Sequence, residues 1–364
     1  MTLTLTTAGE SHGPALVAIL NGLPAGLVLD RDAVDADLHR RQQGYGRSPR
    51  QQIEQDRVEV LAGLRHGRTL GTPLALLVPN RDHRNWTWGM SPWPPEGEPE
   101  GKGKTAVTLP RPGHADLAGV QKYGLTDVRD ALERASARHT AVHVAAGAVA
   151  KALLRAIGVE VRGAVADEDA LHARIDEARS ARDTVGGVVE VRATGVPPGL
   201  GSYASKDVRL DARLAAAVIG IQAVKGVEIG DGFRLATLLG SEAHDEIVRD
   251  DGGLRRTSNR AGGIEAGVSN GEEIVVRAAM KPLPTLMKPL GSVDLETGQP
   301  AEALVERSDV AAVEALAVVA EASVAWELAA AARDKFGGDS LTDFAGAWRA
   351  YLERIDWTSR TPTK

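Results

Sequence analysis

The stretch Arg111–Gly124, RPGHADLAGVQKYG, packs a histidine, an aspartate, a proline, glycines and several basic groups into one short run. It reads as a shaped loop. Directly after it comes a long Ala-rich helical pattern carrying Arg134, Ser136 and Arg138. A rigid loop holding a titratable imidazole, followed by a helix with cations on one face, suits a site for a multiply charged anion. An enzyme is the reading that organises the rest of the chain.

The bulk numbers narrow the class. The 364 residues include 43% hydrophobic ones, ample for a core, and carry a formal net charge of -6. That acidic balance argues against wholesale nucleic-acid binding. An aromatic content of 4% leaves few rings for stacking on bases. The absence of cysteine excludes disulfides, thiolate zinc sites and a cysteine nucleophile, and fits a reducing compartment. The first residues show no basic segment followed by an apolar one, and no apolar run reads as reaching the roughly 18 residues of a membrane helix. A soluble, cytoplasmic protein is expected.

Upstream of the opening stretch, Thr2–Thr6 and Leu16–Leu20 read as strands on either side of the loop Gly9–Pro14, and Asn21–Gly26 as a turn. Asp30 caps a helix that runs to Arg41 and delivers Arg40 and Arg41 to a basic glycine loop ending at Arg50. Val58–Ala62 and Leu74–Val78 read as strands. Pro79–Thr105 holds Trp86, Trp88 and Trp93 among prolines, glycines and charges, with no helix or strand period. Loops longer than about 15 residues are usually functional or mobile, so a lid is the reading here.

Downstream, one helix is expected from Val128 to Ile157, with Asp127 and Asp130 at its positive end and Gly158 as its stop. The small residues Ala145–Ala150 place it backbone-close in the interior. Val159–Val165, Gly187–Ala193 and Ile274–Met280 read as strands, and Asp167–Arg182 and Asp211–Ile221 as helices. A second long Ala-rich helix is expected over Asp309–Arg333, capped by Ser308. The whole is an α+β or layered α/β core without a linker, giving one domain over residues 1–340 and a tail over 341–364.

Individual motifs divide between bland and functional readings. A lone histidine such as His12, between Ser11 and Gly13, is most often an ordinary hydrogen-bonded one. A second example, His114, in an equally rigid Pro-Gly setting adds weight to both as proton carriers. Arg40, Arg41, Arg47 and Arg50 each suit a solvated patch, but Arg41 and Arg47 frame a Gly-Tyr-Gly turn that can aim guanidinium forks at phosphate or carboxylate. Arg134 and Arg138, four apart, either mark an exposed helix edge or hold an anion between them. Asp309 serves a helix start as readily as a reaction. Gly103-Lys104-Thr105 ends like a phosphate-binding loop, but Glu98 stands where its first glycine belongs, so that reading is rejected. No dinucleotide fingerprint, G-x-S-x-G or H-E-x-x-H is read, and no metal site is expected. The residues alone reach a soluble enzyme for a small, anionic, phosphorylated ligand, with two imidazoles as proton carriers.

At these same residues the chain resembles the chorismate synthases. The resemblance rests on GESHG (Gly9–Gly13), RRQQGYGR (Arg40–Arg47), RPGHAD (Arg111–Asp116), RDALERASAR (Arg129–Arg138) and IQAVKGVEIGDGF (Ile221–Phe233). It continues in order through Ala261–Gly271, KPLPT (Lys281–Thr285) and Arg307–Asp309. It implies conversion of 5-enolpyruvylshikimate 3-phosphate to chorismate and phosphate, a 1,4-anti elimination that needs reduced FMN without net redox change. It also implies a single-domain β-α-β sandwich, long helices held between antiparallel sheets, assembled as a homotetramer. By similarity Arg41 and Arg47 contact the substrate and NADPH. The FMN positions match Arg134, Ala135, Ser136, Gln222, Ala223, Ala266, Lys281, Pro282, Leu283, Pro284, Thr285 and Arg307. His12 then protonates the departing phosphate, His114 sits by the flavin, and Asp309 relays the proton taken from the substrate. NADPH or a separate flavin reductase is the implied source of electrons. The runner-up is a flavin oxidoreductase that consumes NADPH on a small acid. Three positions depart from the family pattern: Ala266 replaces the usual glycine, Ser308 a histidine and His139 a common glutamate.

Overall fold

The computed structural model describes residues 2–47, 55–250, 253–305 and 309–355. Arg50, Arg307 and Ser308, named above, lie outside the described residues. Helices and antiparallel sheets are mixed along the chain. Among the described residues, one four-stranded sheet has the order Thr4–Ala8, Ala15–Asn21, Leu74–Pro79, Glu59–Ala62. The other has the order Glu160–Val165, Gly187–Thr194, Ile274–Met280, Val224–Ile229.

Period-2 patterning sets the inner faces. In the first sheet Leu16 lies opposite Val78, Ala18 opposite Leu76 and Leu20 opposite Leu74, all buried. In the second, Val189, Val191 and Ala193 face inward beside Ala278, Val276 and Ile274. The helix Thr140–Arg155 packs on the first sheet, the helix Val313–Phe336 on the second, and the two helices pack on each other. Their contact needs small residues. A Cβ on Gly147 would come 2.3 Å from the Cβ of Ala322 and 2.5 Å from its Cα. Gly147→Val is therefore expected to cost about 1–3 kcal/mol of overpacking, read as a lowered thermal midpoint.

The helix Arg31–Gln42 begins as expected, with the Asp30 carboxylate accepting from the Asp32 amide at 3.0 Å. Elsewhere the structure corrects the sequence reading. The helix expected over Val128–Ile157 is two, Val128–Ala135 and Thr140–Arg155. Ser136 is extended (φ -61, ψ 142) and its Oγ accepts from the Arg138 amide, a local alternative to the helix ladder that alanine periodicity does not register. The stretch read as a loop contains a helix, Asp116–Tyr123, closed by the left-handed Gly124. The second long helix starts at Val313, not Asp309. It is also long and apolar enough to cross a membrane, with a mean hydropathy of 1.5, contrary to the reading that no run was. In this fold 83% of that window is buried inside the protein, so its apolarity serves the core. The segment set apart as a tail opens with the helix Leu341–Arg354, capped reciprocally by Ser340 and Asp343, and buries Phe344 and Trp348.

Candidate active site

Loops from both sheets and the starts of both core helices meet around one cavity of about 600 Å³. His12, Arg41, Arg47, His114, Ala135, Ser136, Gln222, Ala223, Lys281, Leu283, Pro284, Thr285 and Asp309 all line it. The two histidines, far apart in the chain, therefore share one space. The wall also carries Arg111 and Arg138, so five basic side chains face two carboxylates, Asp82 and Asp309. That surplus matches a ligand with several negative charges.

His114 is held by its own loop. Its Nδ1–H donates to the fully buried Asp116 carboxylate, which also accepts from Arg111 Nε at 2.8 Å and the Arg111 amide at 3.0 Å. Burial pushes the Asp116 carboxyl up, but the bonds from His114 and Arg111 outweigh it and hold it well below the usual carboxylate range. An ionised Asp116 fixes the Nδ1–H form of His114 and leaves Nε2 to exchange protons. Gly113, at φ 78, makes the turn, and its carbonyl accepts from Lys281 Nζ.

His12 has an equivalent partner. Glu133, 2% exposed, takes its Nδ1 at 2.8 Å and its backbone amide at 2.8 Å. Sequence reasoning missed this pairing, as it missed Asp116 and Asp56. Glu133 lay within a quoted motif, but nothing local marks a carboxylate as the partner of an imidazole 121 residues away.

The arginines take different duties. Arg41 donates through Nε to Thr140 Oγ1 at 2.9 Å, through NH1 to Asp56 at 3.3 Å and through NH2 to the carbonyls of Ala137 and Arg138. Burial pulls its pKa down to about 10, with Asp56 opposing and Arg138 and Arg47 adding, so it remains a cation at neutral pH. It braces the 137–140 turn and lends the cavity charge. Arg138 clasps Asp56 with NH1 at 2.7 Å from both oxygens. Arg47 meets Asp309 at 2.8 Å, while its buried Nε has no partner among the described residues. The two are brought together because the Val310 amide donates to the Gly46 carbonyl at 2.8 Å. A Cβ on Gly46 would lie 2.8 Å from Ala311 Cβ, so the approach requires glycine. Glu314 pins the same turn by accepting from the Tyr45 amide and from His172 Nε2.

Some expected residues are placed elsewhere. Arg134 and Arg138 do not share a helix face, because the break at Ser136 separates them. The Arg134 guanidinium donates to the carbonyls of Gly9 and Thr7. Arg40 turns to Glu321 at 3.0 Å and Asp37 at 2.9 Å. Pro282 and Ala266 lie off the cavity wall. Ala266 sits in the turn between Ile264–Glu265 and Val268–Ser269 at φ 49, a conformation that suits glycine better. Ala223, on the wall, is also left-handed at φ 66, strain of the kind that gathers at ligand sites. Two segments do spell G-x-S-x-G, Gly9–Gly13 and Gly267–Gly271, contrary to the sequence reading. Gly9–Gly13 joins two strands and Gly267–Gly271 contains the short strand Val268–Ser269, so neither is a strand-to-helix nucleophile elbow.

Beside the main cavity, a second one of about 320 Å³ is lined by His139, His143, Gln222 and Trp326. His139 donates from Nδ1 to the Ser136 carbonyl and accepts the Gln222 amide at Nε2, both at 2.8 Å. Burial lowers its pKa, the Ser136 carbonyl opposes, and Arg134 and Arg41 add to the lowering. Burial, then His139 and Arg134, push His143 down to about 4. At neutral pH the imidazoles add no charge to this wall.

A family model described as chorismate synthase matches residues 3–332. The chorismate synthase of Desulforudis audaxviator is 54% identical over 97% of this chain and 98% of that protein. That of Rubrobacter xylanophilus is 53% identical over 99% of each. A crystal structure of chorismate synthase superposes with a TM-score of 0.77 at 35% identity, covering 98% of both chains.

Proposed function

The chain belongs to the chorismate synthase family, and on that premise we propose that its main cavity eliminates phosphate from 5-enolpyruvylshikimate 3-phosphate to give chorismate, with reduced FMN as cofactor. One observation carries the reading: two imidazoles, each oriented by its own carboxylate, share a cavity whose basic side chains outnumber its acidic ones.

The donor set suits both anions. The Arg47 guanidinium and the Lys281 ammonium are cationic groups on the wall. Ala135, Ser136, Gln222, Ala223 and the Lys281–Thr285 segment would hold the flavin, and Arg47 and Arg138 the phosphate and carboxylates of the substrate. Reduced FMN, when bound there, would supply an electron-rich ring against the substrate. Starting as the imidazolium with Nδ1–H held by Glu133, His12 delivers its Nε2 proton to the departing phosphate and is left in the neutral Nδ1–H form, a gain for a dianionic leaving group in the transition state. His114 holds its proton beside the flavin-binding segment. Asp309, already against Arg47, takes the proton removed from the substrate. The β-α-β sandwich, a tetrameric assembly, a cytoplasmic location and an NADPH or reductase source of electrons belong to the same proposal.

The test is an anaerobic mixture of protein, reduced FMN and substrate. Phosphate release is expected with only catalytic reductant. No release above the blank from folded protein ends the reading, and NADPH loss stoichiometric with product would mark the oxidoreductase instead.

A further inference from the structure

The Trp-rich loop has no part in that mechanism, yet near its start it packs against the imidazole of His12. The Trp86 indole stacks on this ring with centroids 4.0 Å apart and planes 21° from parallel. Trp86 is 7% exposed and its Nε1–H donates to Asp82 at 2.9 Å. Asp82 also accepts from Asn85 at 2.6 Å and Lys102 at 3.1 Å, tying the outgoing and returning strands of the loop together. Burial pushes the Asp82 carboxyl up, but these bonds overcome it and hold it down at about 2, so the tie persists at neutral pH. The return favours glycine at 103, where φ is 75° and a Cβ would lie 3.1 Å from the indole. His83 Nδ1 donates to the His12 carbonyl at 2.9 Å, fixing the backbone beneath the ring. Arg129 lies 5.0 Å from the indole centroid and 3.8 Å from Glu133, joining the stack to the carboxylate.

We propose that Trp86 and Glu133 are positioning residues for His12: the carboxylate fixes the Nδ1–H tautomer and the indole fixes the ring plane, so that Nε2 faces the cavity. This rests on the reading of His12 as the proton donor. It assigns the loop a fixed wall at its start, whatever its tip does. The stack selects one rotation of an sp³–sp² torsion that is otherwise broad. The carboxylate, an acceptor only, admits one tautomer.

Trp86→Ala is expected to lower kcat about tenfold to a hundredfold while KM stays within about twofold, the pattern of a misaimed group in an intact binding site. Trp86→Phe, which keeps a ring, is expected to restore most of the loss. Glu133→Gln can donate as well as accept, so nitrogen-15 NMR of the histidine rings should show His12 shifting from the Nδ1–H form to a mixture. The His12 signal is assigned by its loss in His12→Gln. Wild-type kcat in Trp86→Ala with an unchanged tautomer in Glu133→Gln overturns the proposal. So does a kcat loss that comes with raised KM, a lowered melting temperature and no rescue by phenylalanine, the mark of a merely structural ring. A shifted tautomer with wild-type turnover in both variants overturns it by removing the acid role. Phosphate release by the unaltered protein tests the reaction separately.

Discussion

His12→Ala is expected to cut phosphate release by about a hundredfold or more, and His114→Ala by a similar factor, since a positioned proton carrier supplies about 10²–10⁴-fold. Both rings line the cavity, and each has a buried carboxylate on Nδ1, Glu133 for His12 and Asp116 for His114. This is the arrangement that orients a base or acid, and a buried carboxylate without it would be costly. The two variants should differ in a second measurement. His114 stands in the loop whose Gly113 carbonyl accepts from Lys281, so its loss should weaken reduced-flavin binding in a titration. His12 belongs to the other wall, with Trp86 and Glu133, and its loss should leave flavin binding near the wild-type value. The double variant should fall little below the worse single one, because groups acting on one transition state are not additive. Turnover within about threefold of wild type in both single variants would remove the roles given to them.

What the chain discloses locally and what only its fold discloses separate cleanly at this site. The strands Ala15–Asn21 and Leu74–Pro79 were legible because alternation along each is a property of a few consecutive residues. Asp30 was legible as a cap for the same reason. The wall residues of the main cavity were found largely through family motifs, and the structure gathers most of them. Ser136 was misread because a side chain that bonds its own backbone interrupts a helix without altering its apolar period. Asp116 was read as part of a loop because Pro112 and Gly113 read as punctuation, yet a helix begins three residues after Gly113. Glu133, Asp56 and Trp86 act through residues distant in the chain, so no spacing rule reaches them. Arg134 and Arg40 show the converse: basic residues in the right motif whose side chains are committed to carbonyls and carboxylates of the scaffold.

Asp56→Ala is expected to destabilise the protein by about 3–5 kcal/mol, the cost of breaking a buried ion pair from one side. The Asp56 side chain is fully buried, and the arginines that share it, Arg41 and Arg138, are 8% and 11% exposed. Arg138 places NH1 2.7 Å from both oxygens, and Arg41 adds a contact at 3.3 Å. Burial is the largest influence on Arg41 and Asp56 the largest that opposes it, so removing the carboxylate leaves a desolvated cation repelled by Arg138 and Arg47, with the weaker pull of Asp309 as the remaining compensation. Asp56→Asn, which preserves shape and loses only charge, should retain most of the penalty. A urea titration reads this as a lower midpoint with an unchanged slope. The cavity offers a second check. If two cations face it without their counter-charge, inorganic phosphate should stabilise the Asp56 variants more than the wild type, by mass action on the folded state. Asn at position 56 within about 1 kcal/mol of wild type, with no extra stabilisation by phosphate, would mean that water already solvates these guanidinium groups. The anion site would then owe its charge to Arg47 and Lys281 rather than to the buried triad behind them.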